Sequence, residues 1–200
     1  MTHATIFNAP PNAGKDHAAK FCKEYLDYGY AASTHQFKEK LFELVMAIYC
    51  VEEETFFSFY DDRILKETPM VLFGGLSPRQ AMIKVSEEVI KPVYGKEYFG
   101  KAVAETVRNE NCDFVFFSDG GFLDEIFPLL KVCDTVDIVR LTRPGCSFDG
   151  DSRTYINIED VVEIDQICMY DIDNDGTAED FDKKLVSYLE EVLQDYENVN

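Results

Sequence analysis

The sequence predicts an α/β fold, a mostly parallel sheet of about five strands with helices on both faces. Two observations predict it. Apolar runs rich in β-formers recur along the chain, and segments with apolar residues at helical spacing alternate with them. The run "DFVFFSD" (113–119) is continuous rather than alternating, the pattern of a strand buried on both faces.

Taken in order, "ATIFNA" reads as the first strand, closed by Pro10 and Pro11. "AGKDHAAKFCKEYLDYG" follows as a helix, with Ala18, Phe21, Cys22, Tyr25 and Leu26 on one stripe and a stop at Gly29. "THQFKEKLFELVMAIYCV" reads as a second helix from Thr34 onward, and "EEETFFSFYDDRILKETP" as short helical pieces. "SPRQAMIKVSEEVIKPVYG" starts with Ser77 as N-cap and Pro78 at the first helical position, and Pro92 is expected to break it. "GKEYFGKAVAETVRNEN" is a further helix. Strands are then expected over 113–119, 135–144 and 166–173, with "GFLDEIFPLLKV" and "AEDFDKKLVSYLEEVLQDY" helical between and after them. No repeat, low-complexity segment or long linker interrupts the chain, so residues 1–200 read as one domain.

Charge bounds the partners. With 19 basic and 38 acidic side chains the net charge is −19. A surface this negative repels duplex DNA and anionic lipid, so direct nucleic-acid binding and membrane association are not expected. Small phosphate ligands are still compatible, because one pocket can be positive inside an acidic protein. No apolar run is long enough to span a bilayer and no secretory leader is evident, which reads as cytoplasmic. The six cysteines show no C-x-x-C spacing and read as reduced thiols, several of them in the core. His3, His17 and His35 have no metal-ligand spacing. The 16 Phe and 11 Tyr leave room for a homodimer interface.

The segment "NAPPNAGKDHAAK" (8–20) approaches the phosphate-loop pattern G-x-x-x-x-G-K-[ST]. Gly14 and Lys15 match; Ala9 stands at the first glycine and Asp16 at the hydroxyl. The segment lies between a strand and a helix, and a helix N-terminus stabilises an anion. A lysine in that first turn opposes the dipole unless an anion lies there. Asp16 is either a magnesium ligand or a favourable acid at the helix start. Asp119 ends a buried strand, where a carboxylate can hold metal or orient an acceptor, although turn formation also favours Asp. Arg140 and Arg143 flank the end of the next strand and suit phosphoryl oxygens. Ser152 and Arg153 lie in the polar loop beyond. "DIDNDGTAEDFD" (171–182) matches the skeleton of a calcium loop, and equally a strand-to-helix turn that needs no ion.

Seven segments share a further likeness: "GKD" (14–16), "QFKEKL" (36–41), "SPRQAMIKVSEEVI" (77–90), "YFGKAV" (98–103), "SDGGFLDE" (118–125), "RLTRPG" (140–145) and "DNDGT" (173–177). In this order the chain resembles the bacteriophage deoxynucleoside monophosphate kinases, over most of its length. The resemblance implies a P-loop kinase-like three-layer sandwich, with an acceptor-nucleotide helical region at about 33–108 and a lid-like loop at about 144–160. It implies transfer of the terminal phosphate of ATP to a deoxynucleoside monophosphate (dNMP), for phage nucleotide supply in the host cytoplasm. Asn12, Ala13, Gly14, Lys15, Asp16 and His17 would then hold ATP, with Asp16 near Mg²⁺ and Asn174 and Gly176 against the adenine. Lys15, Arg140, Arg143 and Asp119 would be catalytic. Lys38, Arg63, Lys66, Arg79, Gln80 and Lys101 would face the acceptor. Two departures stand out. His17 replaces a hydroxyl residue, and Gly121 stands where an arginine is expected, so Lys101 or Arg63 is expected to replace its charge. Failing that, the chain would be a catalytically impaired nucleotide-binding protein.

Overall fold

Apolar strand faces need a cover on each side, and the chain supplies it from segments far apart in sequence. A computed structural model describes residues 1–151 and 153–199. β1 (His3–Asn8) runs into a loop and then α1 (Lys15–Leu26). β2 (Ala32–His35) leads to α2 (Glu39–Tyr49) and α3 (Glu53–Tyr60). Two short 3₁₀ turns connect α3 to α4 (Pro78–Lys84), which continues through a π-helical turn, Val85–Ile90, into α5 (Lys91–Tyr94). α6 (Tyr98–Glu110), β3 (Phe114–Phe117) and α7 (Leu123–Ile126) follow, then β4 (Thr135–Thr142), β5 (Ile167–Asp173) and α8 (Ala178–Val199).

Among the described residues the strands form one parallel sheet in the order β2-β3-β1-β4-β5. β1 is central, with His3 beside both Phe114 and Thr135. Phe7, Phe114, Phe116, Val139 and Leu141 bury one face beneath Ala18 and Cys22 of α1 and Leu185 and Leu189 of α8. Ala4, Ile6, Val115, Phe117 and Ile138 bury the other against Val103 and Val107 of α6 and Ile126 of α7. The result is an α/β three-layer sandwich. A third core, built on Phe42, Val45, Phe56, Phe73, Met82, Val85 and Phe99, holds the helical segment together. Through Phe99, α6 belongs to this core as well, which fixes the helical segment to the sheet.

A buried polar chain seats α8. His3 Nε2 lies 2.9 Å from Asp137 Oδ2, the Tyr188 hydroxyl donates to the same oxygen at 2.7 Å, and Thr5 Oγ1 lies 2.8 Å from Tyr188 Oη. A buried carboxylate is tolerated because each neighbour hydrogen-bonds it.

Two elements differ from the sequence reading. Ala32–His35 forms β2, where a helix was expected from Thr34 onward. Its side chains are mostly polar, and pairing with β3 rather than local propensity decides its state. The helix begun at Ser77 does not break at Pro92 but runs on to Tyr94 and ends at Gly95 (φ +89°). The wide π turn, in which Lys91 N–H donates to Ser86 O, puts Pro92 in the first turn of α5, where a proline is accommodated.

All six cysteines are free thiols, with Cys22 and Cys133 buried. Among the described residues no helix is long and apolar enough to cross a membrane.

Candidate functional site

The loop after β1 takes positive φ at Asn12 (+65°) and Gly14 (+108°), and not at Ala9. The alanine in place of the first glycine is therefore accommodated without strain. Asn tolerates the left-handed region, and Gly14 carries no Cβ to obstruct it. A Cβ at Gly14 would lie 2.8 Å from Asn174 Nδ2 and 3.2 Å from Phe181. Asn174 is buried, donates to Ala13 O at 2.9 Å and so clamps the loop from below. α1 starts directly after Gly14, and its first-turn N–H groups have no partner inside the helix. Lys15 is 9% exposed, with Nζ 3.3 Å from Pro10 O. Burial pushes its ammonium pKa down, and Arg153 adds to that.

A cavity of about 550 Å³ opens over this loop. Lys15, Lys38, Lys66, Arg79, Lys91 and Arg153 all line it, together with Asp16, Asp119 and Asn12. Lys66 lies with Nζ 3.6 Å from the Tyr60 ring centroid, a cation–π contact. Burial, then Arg79 and Lys38, lower its pKa to about 8. Lys38 contributes to the lowering at both Lys15 and Lys66, after burial, the largest cause at each. Apolar walls complete the cavity: Phe37, Leu41, Met82, Phe99 and Phe122. Between them Glu87 is ion-paired to Lys91 (2.6 Å), and burial followed by the Asp119 charge raises the Glu125 carboxyl to about 8.

Asp119 is buried and caps the corner between β2 and α2. Its Oδ1 accepts from Phe37 N–H (2.9 Å) and its Oδ2 from Lys38 N–H (3.2 Å). Burial pushes its carboxyl up, while Lys38 and those amides oppose the shift. Asp16, directly after Lys15, lines the cavity as a carboxylate of the kind Mg²⁺ takes beside phosphate oxygens, whereas both oxygens of Asp119 already accept from backbone amides. Among the described residues no group of three or more His, Cys, Asp or Glu side chains could hold a metal by itself.

Other candidates lie elsewhere. Arg140 makes a two-pronged ion pair with Asp171 across β4 and β5 (2.7 and 2.6 Å) and does not line the cavity. Arg143 donates to Asn12 O (3.1 Å) and Arg63 to Asn12 Oδ1 (2.9 Å), so both brace the loop. Gln80 closes a capping box with Ser77, its carbonyl accepting from Ser77 N–H at 3.0 Å. Lys101 is exposed and pairs with Glu97 (2.9 Å). His17 turns away to Asp182 (2.6 Å). Gly176 sits in the turn before α8, where Thr177 and Asp180 cap each other. Across 171–182 the acids go to separate partners: Asp171 to Arg140, Asp173 to Thr142, Asp175 to Lys184 and Asp182 to His17. That is the strand-to-helix turn rather than a calcium loop. Ser152 lies outside the described residues.

Neither Lys101 nor Arg63 lines the cavity; the cation next to Gly121 is Arg153. A Cβ at Gly121 would lie 2.8–3.0 Å from Cβ, Cγ and Cδ of Arg153, so the Arg153 side chain passes directly over this glycine. Sequence reasoning also missed Asn8, fully buried at the end of β1. It donates to Thr154 O (3.1 Å) and Gly120 O (3.3 Å) and accepts from Ile156 N–H (2.8 Å). A buried asparagine after an apolar strand was the available signal.

No protein-family model matches the sequence, and no curated protein matches it. Among solved structures, the fold is similar to a sugar kinase of a Janibacter species, at 9% identity and TM-score 0.49, over 95% of each chain. It is also similar to a plasmid partition protein of Borrelia burgdorferi, at 14% identity and TM-score 0.45, over 98% of this chain and 100% of that one.

Proposed function

We propose that this chain transfers the terminal phosphate of ATP to a dNMP, giving ADP and the deoxynucleoside diphosphate. One observation carries the reading. In a protein of net charge −19, six cations converge on a single cavity over a strand–loop–helix of phosphate-binding form. Five acidic side chains line the cavity as well, and Arg79, Lys91 and Arg153 are paired with Glu67, Glu87 and Asp151. The anion-binding reading therefore rests on Lys15, Lys38 and Lys66, which face the same space over the loop.

Lys15 and the α1 N-terminus fit the donor phosphates. Lys38, Lys66 and Arg79, with the apolar walls, fit an acceptor that carries a phosphate on a flat base. Asp16 would hold Mg²⁺, which would neutralise charge at the donor phosphates. In the transfer itself, an oxygen of the acceptor phosphate dianion bonds to the terminal phosphorus. The bond from that phosphorus to the bridging oxygen breaks, and its electron pair leaves with ADP. No proton has to move, which agrees with Asp119 being engaged by two amides rather than poised as a base. Positioning and electrostatics therefore supply the catalysis.

The test is ADP release with each of the four dNMPs in Mg²⁺, beside Lys15→Ala. Turnover on at least one dNMP, reduced about 10³-fold or more in the variant, is the expected outcome. Micromolar ATP binding with no turnover on any of them would instead indicate the nucleotide-binding protein without chemistry.

A further inference from the structure

We infer that Arg153 is a catalytic arginine of this site, reaching the phosphates from a seat on Gly121 and oriented by Asp151; the inference rests on the phosphotransfer reading above. Two contacts fix the side chain, and a third pins the backbone beside it. Its aliphatic stem lies on Gly121, at a distance that any Cβ there would close to 2.8–3.0 Å. Its Nε and Nη2 donate to the two oxygens of Asp151, at 2.9 and 2.7 Å. The backbone just beyond is pinned by Asn8, whose amide bonds Thr154 O and Ile156 N–H at the mouth of β1.

The orientation decides which part of the fork is left for a ligand. A guanidinium has two edges suited to an oxyanion, one through Nε and one end-on through both Nη atoms. Asp151 takes the first. The end-on edge has a single weak contact, from Nη1 to Asp119 O at 3.4 Å. Arg153 lines the same cavity as Lys15, and it is the largest charge acting on Lys15. Arg140, by contrast, spends its fork on Asp171 outside the cavity. Asp151 is then a positioning residue: its hydrogen bonds with Arg153 and the guanidinium charge hold its carboxyl pKa down at about 2, against burial, which pushes it up.

The glycine and the arginine are thus one device, and a double-mutant cycle tests it. With an accepted dNMP, Arg153→Ala is expected to lower kcat by about 10²-fold or more, with the ATP KM changed far less. Arg153→Lys is expected to recover only part, because a point charge lacks the fork. Gly121→Ala, which displaces the stem, is expected to lower kcat about tenfold or more, and Gly121→Ala/Arg153→Ala is expected to be no worse than Arg153→Ala alone. Asp151→Asn is expected to lower kcat while leaving the melting temperature within a few degrees. A kcat for Arg153→Ala within about threefold of wild type, or multiplicative losses in the double variant, would overturn the inference. Titration with inorganic tripolyphosphate needs no turnover, and Arg153→Ala is expected to weaken it about tenfold. Should the wild type turn over no dNMP, the phosphotransfer reading fails by itself, and an unchanged tripolyphosphate affinity then overturns the Arg153 assignment as well.

Discussion

The loop that ends in Gly14 and the wall formed by α2, α4 and the turns between them both present cations to one cavity, but they assemble them differently. The loop uses neighbours in sequence: Asn12, Gly14 and Lys15 need only a strand before and a helix after. The wall brings Lys38, Lys66 and Arg79 together from separate segments, and only the third core around Phe56 and Phe73 makes them adjacent. A contiguous anion site carries its geometry in its motif. A convergent one carries it in packing.

The comparison predicts where each half breaks. Gly14→Ala is expected to do most harm, because it strains φ +108° and drives a Cβ into Asn174, the clamp under the loop. The cost is about 2–3 kcal/mol, or a fall in melting temperature of roughly 5–10 °C, with ATP affinity down at least about tenfold. Calorimetry and an ATP titration check both, and an unchanged ATP affinity would show that the loop does not hold the donor.

On the wall, Lys66 should make acceptor binding depend on pH. Its folded pKa of about 8 means the ammonium is present below pH 8 and lost above it. An anionic acceptor prefers the charged form, so the acceptor KM is expected to rise about tenfold between pH 7 and 9.5. Lys66→Arg keeps its charge across that range and should flatten the profile. A wild-type KM without pH dependence would remove Lys66 from the site.

The smallest effect belongs to Gln80. Its side chain completes the cap of α4, so Gln80→Ala is expected to cost about 0.5–1 kcal/mol, a melting shift of roughly 2–4 °C, without altering the order of preference among the four dNMPs. A changed order would make Gln80 a reader of the base instead of a cap.

These differences follow what the sequence could express. β1, α1 and the loop between them were legible because strand, turn and helix signals lie end to end. Ala32–His35 was not, since a polar edge strand is defined by its neighbour β3, 82 positions further along the chain, rather than by its own residues. Lys15, Asp16, Lys38, Lys66, Arg79 and Asp119 do meet in one cavity. Arg140 could be read as a site residue because nothing local reveals that Asp171 lies opposite it in register. Arg153 could not be placed at all from sequence, as its seat is a glycine thirty-two positions earlier and the signal there is the lack of a side chain.

The position of β1 has a consequence for how the chain is made. It precedes the other four strands in the chain, yet it lies at the centre of the sheet, and its earliest partner, Phe114 opposite His3, comes after the whole helical segment. At translation rates of about 5–20 residues per second, its apolar edges wait on the order of ten seconds for β3 to leave the ribosome. During that interval "ATIF" is an unpaired strand with both edges open. A nascent chain stalled before Phe114 would thus have its strongest β-former and none of the strands that protect it.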